Sequence, residues 1–121
     1  MINALVIDDN RSTADSMVRV LKALGIQARP AYGPGPAMAI LRAETPNVIF
    51  LDINMPGVTG FDILGFASRE PRLANVPVLV CTSDDQPQTR ANAIKAGATD
   101  FLVKPVTVDA LEQALKKIGL V

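Results

Sequence analysis

The sequence lacks histidine and tryptophan altogether and contains a single cysteine, Cys81, among its 121 residues. Without histidine, both histidine-based catalysis and histidine metal ligands are excluded. One cysteine cannot form an internal disulfide, and because Cys81 lies in an apolar segment, we expect a buried thiol in a reducing compartment. No apolar stretch approaches the ~20 residues that a membrane-spanning helix needs, and the N-terminus lacks the pattern of a signal peptide. We therefore expect a cytoplasmic protein without a membrane partner.

A net charge is also missing, because twelve basic and twelve acidic residues cancel. Nucleic acid is therefore not expected as a partner, since phosphate backbones select a basic face. The chain is 49% hydrophobic, which argues against disorder. Its length suits one domain with a real core. We expect residues 1–121 to form a single domain, with no linker, repeat or second domain.

Five apolar segments alternate with five amphipathic segments along the chain. The expected strands are Ala4–Ile7, Ile26–Ala31, Val48–Leu51, Val76–Cys81 and Asp100–Val103. The first, third and fourth are almost entirely apolar, which is typical of parallel strands that are covered on both faces. The second contains Arg29 and Pro30, which indicates less burial.

Helical patterns occupy the segments between the strands. The expected helices are Ser12–Leu24 with Gly25 as its C-cap, one entered through the kinked turn Gly33–Pro36, one beginning near Gly60, Pro87–Ala96, and one following Thr107 as its N-cap. Five β-α units of this length predict an α/β fold, with a five-stranded parallel sheet flanked by five helices and right-handed crossovers.

Acidic residues stand directly after two of the predicted strands, Asp8 and Asp9 after the first and Asp52 after the third. Open α/β sheets place their chemistry at the carboxyl ends of the strands, so we expect one shared site. Carboxylates forced together repel one another, and Mg²⁺ resolves the conflict because it prefers carboxylate and carbonyl oxygens and often shares its shell with phosphate. The alternative is that Asp9 and Asn10 merely cap the first helix, but that accounts for one acid rather than three.

Two further polar side chains end the fourth and fifth predicted strands. Thr82 can donate a hydrogen bond to a phosphoryl oxygen, although the segment 82–84 taken alone is better explained as a turn that starts a helix. Lys104 can pair with a carboxylate or phosphate as a point charge, and a cis bond to Pro105 would direct it into the site. Most lysines are solvated at the surface, but Lys104 directly follows the apolar segment 101–103, which favours the site.

In their order, these motifs resemble the receiver domain of a two-component response regulator over essentially the whole chain. The residues that carry the resemblance are Asp8-Asp9, Leu51-Asp52-Ile53-Asn54-Met55-Pro56-Gly57, Thr82 and Lys104-Pro105. The resemblance implies a flavodoxin-like strand order 2-1-3-4-5. It implies that Asp52 accepts a phosphoryl group from a sensor histidine kinase or a histidine phosphotransfer protein. It also implies that Asp8, Asp9, Asp52 and the backbone carbonyl of Asn54 hold Mg²⁺.

The same resemblance implies how the modification is read. Thr82 contacts the phosphoryl group and moves toward it, Lys104 pairs with it, and Phe101 is the switch aromatic that turns inward. The surface of the fourth helix, fifth strand and fifth helix then changes shape for a downstream protein. A permanently buried core ring is the alternative interpretation of Phe101. Because that surface shows no obvious large apolar patch in the sequence, a monomer or weak dimer is expected.

Two other functions fit part of the pattern. An aspartyl-phosphate hydrolase also uses a strand-end aspartate and Mg²⁺, but it commonly carries Asp-x-Asp where this chain has Asp8-Asp9-Asn10, and it tends to need a cap or longer insertion. A constitutive protein-binding adaptor would not need all five site residues. We therefore expect a phosphoacceptor switch rather than an enzyme. A stand-alone receiver is favoured, and a fragment of a longer regulator is left open.

Overall fold

The computed structural model of the chain consists of a parallel five-stranded sheet with helices on both faces, and it describes residues 1–55, 57 and 59–121. The strands are β1 (Asn3–Ile7), β2 (Gln27–Ala31), β3 (Val48–Leu51), β4 (Val78–Thr82) and β5 (Asp100–Val103). The helices are α1 (Arg11–Ala23), α2 (Pro34–Ala43), α3 (Gly60–Arg69), α4 (Pro87–Lys95) and α5 (Val108–Lys117). Every strand and helix expected from the sequence is present.

The strands lie in the order β2-β1-β3-β4-β5, and all neighbouring pairs are parallel. The expected fold class and strand order are therefore confirmed. β1 pairs with β2 on one side and with β3 on the other, so the strand order reverses between β1 and β3. Open α/β sheets form a crevice at the carboxyl ends of the strands at such a point. The acids Asp8 and Asp52 follow these two central strands.

The sheet separates two hydrophobic cores because successive side chains of a strand point to opposite faces. Leu5 and Ile7 of β1 belong to a core with the buried residues of α2, α3 and α4, which we call the α2–α4 core. Ala4 and Val6 belong to a core with those of α1 and α5, which we call the α1–α5 core. Within the described residues, no helix is both long and apolar enough to cross a membrane.

Three strands differ in their bounds from the sequence prediction: β1 begins one residue earlier, at Asn3, β2 begins one residue later, at Gln27, and β4 differs most. β4 covers Val78–Thr82 rather than beginning at Val76 and ending at Cys81. The N–H of Val76 donates to the carbonyl of Leu73 at 2.9 Å, which places Val76 in the turn that follows α3. At the other end, the carbonyl of Thr82 accepts from the N–H of Lys104 at 2.8 Å, so strand pairing continues through Thr82.

Prolines occur inside one strand and at the start of two helices, α2 and α4, without disrupting them. Pro30 lies in β2, an edge strand, where a missing N–H removes no hydrogen bond from the interior of the sheet. Helix α2 begins at Pro34 and contains Pro36 in its first turn, whose N–H groups have no partner within a helix. The proline-rich turn therefore forms the start of α2 rather than a segment before it.

Candidate functional site

Three acids meet at the carboxyl edge of the sheet. Ile7 of β1 pairs with Leu51 of β3, and the next residue of each strand is an aspartate, Asp8 and Asp52. The N–H of Asp52 donates to the carbonyl of Ile7 at 2.9 Å, so the ladder continues one position beyond the strands. Carboxylate oxygens of Asp8, Asp9 and Asp52 lie within 4.8 Å of one another. The structure therefore brings together the three acids that the sequence analysis assigned to one site.

Two of these carboxylates are buried and the third is open to solvent. Asp8 is 4% and Asp52 is 7% exposed, whereas Asp9 is exposed. Each buried carboxylate is oriented by a backbone N–H two residues later in the chain. Oδ1 of Asp8 accepts from Asn10 at 2.9 Å, and Oδ1 of Asp52 accepts from Asn54 at 3.0 Å. These local turns leave Oδ2 of both aspartates for other partners.

Lys104 reaches both buried carboxylates from the end of β5. Its Nζ lies 2.6 Å from Oδ2 of Asp8 and 3.5 Å from Oδ2 of Asp52. The side chain of Lys104 is only 21% exposed, so solvent screens these contacts less than it would at the surface. The peptide bond between Lys104 and Pro105 is cis. The strand-end lysine is thus part of the acidic cluster and not a solvated surface residue.

The surroundings of the site raise the pKa of both Asp52 and Lys104. Burial raises the pKa of Asp52 and the Asp8 carboxylate adds to the rise, against the opposing effects of the Asn54 N–H and the Lys104 ammonium. Burial alone would lower the pKa of Lys104, but the hydrogen bond to Asp8 and the two nearby carboxylates outweigh it and raise the pKa. The Lys104 ammonium group thus contacts two of the three acids.

This donor set fits a hard divalent cation. All three side chains offer carboxylate oxygens, two of them from buried positions where a partner ion matters most. One lysine cannot balance three carboxylates, and Mg²⁺ is bound in proteins through one or a few carboxylates together with water and phosphate oxygens. The backbone carbonyl predicted as a further ligand belongs to Asn54, two residues after Asp52.

Thr82, at the end of β4, is connected to the same edge through Asn54. Thr82 is 0% exposed, and its Oγ1 accepts from Nδ2 of Asn54 at 2.9 Å and from the N–H of Asp84 at 3.3 Å. The sequence predicts a role for Asn54 only through its backbone carbonyl, and it does not predict this side-chain contact. The sequence places both residues at one edge of the sheet, because polar side chains that follow neighbouring parallel strands end there, but it does not show that they pair.

Phe101 of β5 is already turned into the protein. It is 5% exposed and belongs to the α2–α4 core, and the guanidinium of Arg90 lies 5.9 Å from the centre of its ring. The ring is thus buried in this structure, as in the alternative interpretation from the sequence, and its role as the switch aromatic stays a prediction. A phenylalanine has no hydroxyl that would favour a solvated rotamer, so burial of the ring is its ordinary state.

Cys81 lies in β4 next to Thr82 and belongs to the α1–α5 core. Burial raises the pKa of its thiol to about 12, so the thiol stays protonated at neutral pH. A protonated, buried thiol is a poor nucleophile and a poor metal ligand. Cys81 is therefore a core residue, as its apolar surroundings in the sequence predict.

Comparison with known proteins gives a consistent result. The family model described as the response regulator receiver domain matches residues 4–116. Protein PilH of Pseudomonas aeruginosa is 29% identical over 118 residues, which cover 98% of both chains. The chemotaxis protein CheY of the same organism is 30% identical over 115 residues, which cover 94% of this chain and 93% of CheY.

The fold comparison agrees with the sequence comparison. The structure of Vibrio cholerae chemotaxis protein CheY4 superposes with a TM-score of 0.91 at 27% identity and covers 98% of each chain. Several other relatives are longer proteins, of which this chain spans 18% to 26% of the length. With a family match over most of its length and the acidic edge described above, the chain belongs to the response regulator receiver domain family.

Proposed function

We propose that residues 1–121 form one receiver domain that acts as a phosphorylation-dependent switch, with Asp52 as the residue that accepts the phosphoryl group. Members of the receiver family are phosphoacceptor switches that interact with histidine kinases and with downstream targets. The observation that carries the proposal is the surroundings of Asp52. Its carboxylate is 7% exposed, lies 3.5 Å from the Lys104 ammonium and shares an edge with Asp8 and Asp9.

The contacts of the two buried carboxylates favour Asp52 over Asp8 as the nucleophile. Oδ2 of Asp8 is held at 2.6 Å by Lys104, whereas Oδ2 of Asp52 lies 3.5 Å from the same ammonium. The less engaged oxygen is the better attacking group, because attack requires a lone pair that is not committed to a strong hydrogen bond. In the proposed step, this oxygen forms a bond to phosphorus while the phosphorus–nitrogen bond of a phosphohistidine breaks.

Positive charge around Asp52 would stabilise the transferred group. Receiver domains bind Mg²⁺ at an acidic pocket, and we propose that Asp8, Asp9, Asp52 and the carbonyl of Asn54 would hold it here. The bound ion would offset negative charge on the phosphoryl oxygens. Lys104 adds its own charge, since two unit charges ~4 Å apart interact by about 4 kcal/mol at an effective dielectric of 20, before desolvation is subtracted.

The proposed output surface consists of α4, β5 and α5. Among the described residues, the large hydrophobic side chains that are exposed are Met1, Ile94, Val103, Val108 and Val121. Three of these lie on the proposed surface, Ile94 on α4 at 44% exposure, Val103 on β5 at 44% and Val108 on α5 at 52%. The sequence predicts no obvious large apolar patch there, and that stays a prediction, because these three side chains are exposed individually. We propose that a downstream protein covers them.

The proposal is tested by incubating the protein with acetyl phosphate and Mg²⁺ and measuring its intact mass. We expect the mass of one phosphoryl group to be added, and to be absent in Asp52→Asn or when a chelator is added before mixing. Asp109→Asn is the matched control, because Asp109 is an exposed aspartate of α5 and is not one of the three clustered acids.

Three outcomes would contradict the proposal. Labelling that persists in Asp52→Asn would show that another residue is the acceptor. Continuous turnover of a phosphate ester by the wild-type protein, rather than uptake of one phosphoryl group per chain, would favour an aspartyl-phosphate hydrolase. A protein that binds its partner equally well before and after labelling would be a constitutive adaptor. The sequence contains no tryptophan, so NMR rather than tryptophan fluorescence should follow metal and donor binding.

A further inference from the structure

The side chain of Asn54 links the proposed phosphoacceptor to the hydroxyl at the end of β4. Its backbone N–H donates to Oδ1 of Asp52 at 3.0 Å, and its Nδ2 donates to Oγ1 of Thr82 at 2.9 Å. Thr82 is 28 residues further along the chain and fully buried, whereas Asn54 is exposed. One residue thus contacts both the carboxylate that would be modified and the hydroxyl that would respond.

The hydrogen bonds to Thr82 leave its hydroxyl able only to donate a hydrogen bond to a further group. A hydroxyl carries two acceptor lone pairs and one donor proton. Both acceptor positions are used, one by Nδ2 of Asn54 at 2.9 Å and one by the N–H of Asp84 at 3.3 Å. In this arrangement Thr82 can only donate to an additional group. A phosphoryl group offers only acceptor oxygens, so the proton is available for it.

Any displacement of Thr82 toward Asp52 must act on the bond to Asn54, because the same oxygen is at its acceptor end. We propose that the Asn54 carboxamide is a positioning residue that holds Thr82 in its unmodified place and thereby opposes the switch until a phosphoryl group is present. This inference rests on the proposed function of Asp52. It assigns the side chain of Asn54 a role separate from that of its backbone, whose N–H donates to Oδ1 of Asp52 and is present in any variant.

Removing the carboxamide should therefore favour the switched position of Thr82 in the unmodified protein. Losing one neutral hydrogen bond of ordinary strength changes an equilibrium constant by about two- to tenfold. Asn54→Leu is the informative variant, because leucine has nearly the same shape, lacks the donor and keeps the backbone N–H to Asp52. Since Asn54 is exposed, the substitution should leave the fold intact.

The experiment compares amide chemical shifts of residues 83–86 in unmodified wild-type and Asn54→Leu proteins by NMR. Wild-type protein saturated with Mg²⁺ and beryllofluoride, which mimics a bound phosphoryl group, supplies the shifts of the switched state. We expect the shifts of unmodified Asn54→Leu to move toward that state, and uptake from acetyl phosphate to become about two- to tenfold faster. In a Thr82→Val background, which lacks the acceptor, Asn54→Leu should have no further effect.

Asn47→Leu is the matched control. Asn47 is also exposed, and its Oδ1 accepts from the N–H of Asn3 at 2.8 Å, at the opposite end of the strands. The Asn47→Leu substitution should leave the amide shifts of residues 83–86 and the rate of phosphoryl uptake unchanged. If Asn54→Leu behaves like Asn47→Leu while wild type takes up phosphate and responds to beryllofluoride, the role of Asn54 is disproved and the proposed function stands. If wild type neither takes up phosphate nor responds, both proposals are disproved.

Discussion

Helices α4 and α5 flank the same strand, β5, but they are attached to the protein very differently. α5 buries Leu111, Ala114 and Leu115 in the α1–α5 core. α4, all nine residues of which are described, buries only Ala93. Full burial of two leucines contributes ~3–6 kcal/mol, whereas an alanine methyl contributes ~0.8 kcal/mol. Apolar contacts therefore fasten α5 to the sheet and leave α4 weakly held.

The start of each helix shows the same contrast. The Thr107 side chain caps α5 by accepting from the N–H of Ala110 at 3.1 Å. The N-cap residue of α4, Gln86, makes no such bond. The first turn of α4 is instead tied to Asp84, whose Oδ2 accepts from the hydroxyl of Thr89 at 2.7 Å. Hydrogen bonds in a loop thus attach α4 to the rest of the protein, whereas buried leucines attach α5.

These polar bonds begin at the proposed switch residue. The N–H of Asp84 donates to Oγ1 of Thr82 at 3.3 Å, and Asp84 in turn holds Thr89 of α4. A displacement of Thr82 therefore reaches α4 through two hydrogen bonds, while α5 remains anchored in the core. Of the two helices on the proposed output surface, α4 would therefore respond to such a displacement, and α5 would be the fixed reference.

The largest difference between the helices should appear in global stability. Leu115→Ala should lower the free energy of unfolding by about 3 kcal/mol, because Leu115 is 0% exposed and its truncation leaves a cavity. Ala93→Gly, the corresponding loss on α4, should lower it by about 1 kcal/mol through the reduced helix propensity of glycine. Urea unfolding monitored by circular dichroism measures both, and equal losses would contradict the comparison.

Local opening should also distinguish the helices. We expect amides in the middle of α4 to exchange with solvent about tenfold faster than those of α5, after correction for intrinsic rates, because few buried contacts must break to open α4. Native-state hydrogen exchange by NMR gives both values in one sample. Protection in α4 equal to that in α5 would show that the loop bonds hold α4 as firmly as a core does.

Much of this architecture follows from the sequence. The run Val48–Leu51 is wholly apolar and is buried on both faces, as its composition predicts. The aspartates at the ends of β1 and β3 meet because parallel strands end at one edge, which spacing along the chain is enough to predict. The position of Lys104 could also be anticipated, since it directly follows an apolar strand.

The remainder depends on which side chains meet across the fold. The hydrogen bond from Asn54 to Thr82 joins residues 28 apart, and no local pattern distinguishes it from a solvated asparagine. The weak attachment of α4 was missed because its length and its alanines predict a helix without showing what the helix packs against. β4 begins later than predicted because the N–H of Val76 donates to the carbonyl of Leu73 in the preceding turn. The apolar side chain of Val76 gives no indication of this contact.

A smaller difference between the helices should depend on pH. The N–H of Gln86 and the hydroxyl of Thr89 donate to Asp84 and lower its pKa. The stabilisation by a carboxyl group of lowered pKa is present above its ordinary value and is lost as the pH falls through the lowered one. Below about pH 4, protection in α4 should therefore drop a few-fold more than protection in α5.

Asp84→Asn tests whether Asp84 is responsible. At neutral pH this variant should already show the lower protection in α4, and the extra acid sensitivity of α4 relative to α5 should disappear. Hydrogen exchange measured from pH 3 to pH 7, with intrinsic rates corrected, provides the comparison. An acid-sensitive α4 that persists in Asp84→Asn would assign the effect to another carboxylate.

The smallest effect should come from the contact between α4 and the ring of β5. The guanidinium of Arg90 lies 5.9 Å from the centre of the Phe101 ring, and at an exposed position such a contact contributes about 0.5 kcal/mol. Arg90→Gln should therefore accelerate exchange in α4 about twofold and shift the ring resonances of Phe101, without affecting α5. Lys95→Gln, which removes an exposed positive charge from the same helix, should leave the ring resonances in place. If both variants shift them equally, the charge of α4 rather than its contact with Phe101 couples the helix to β5.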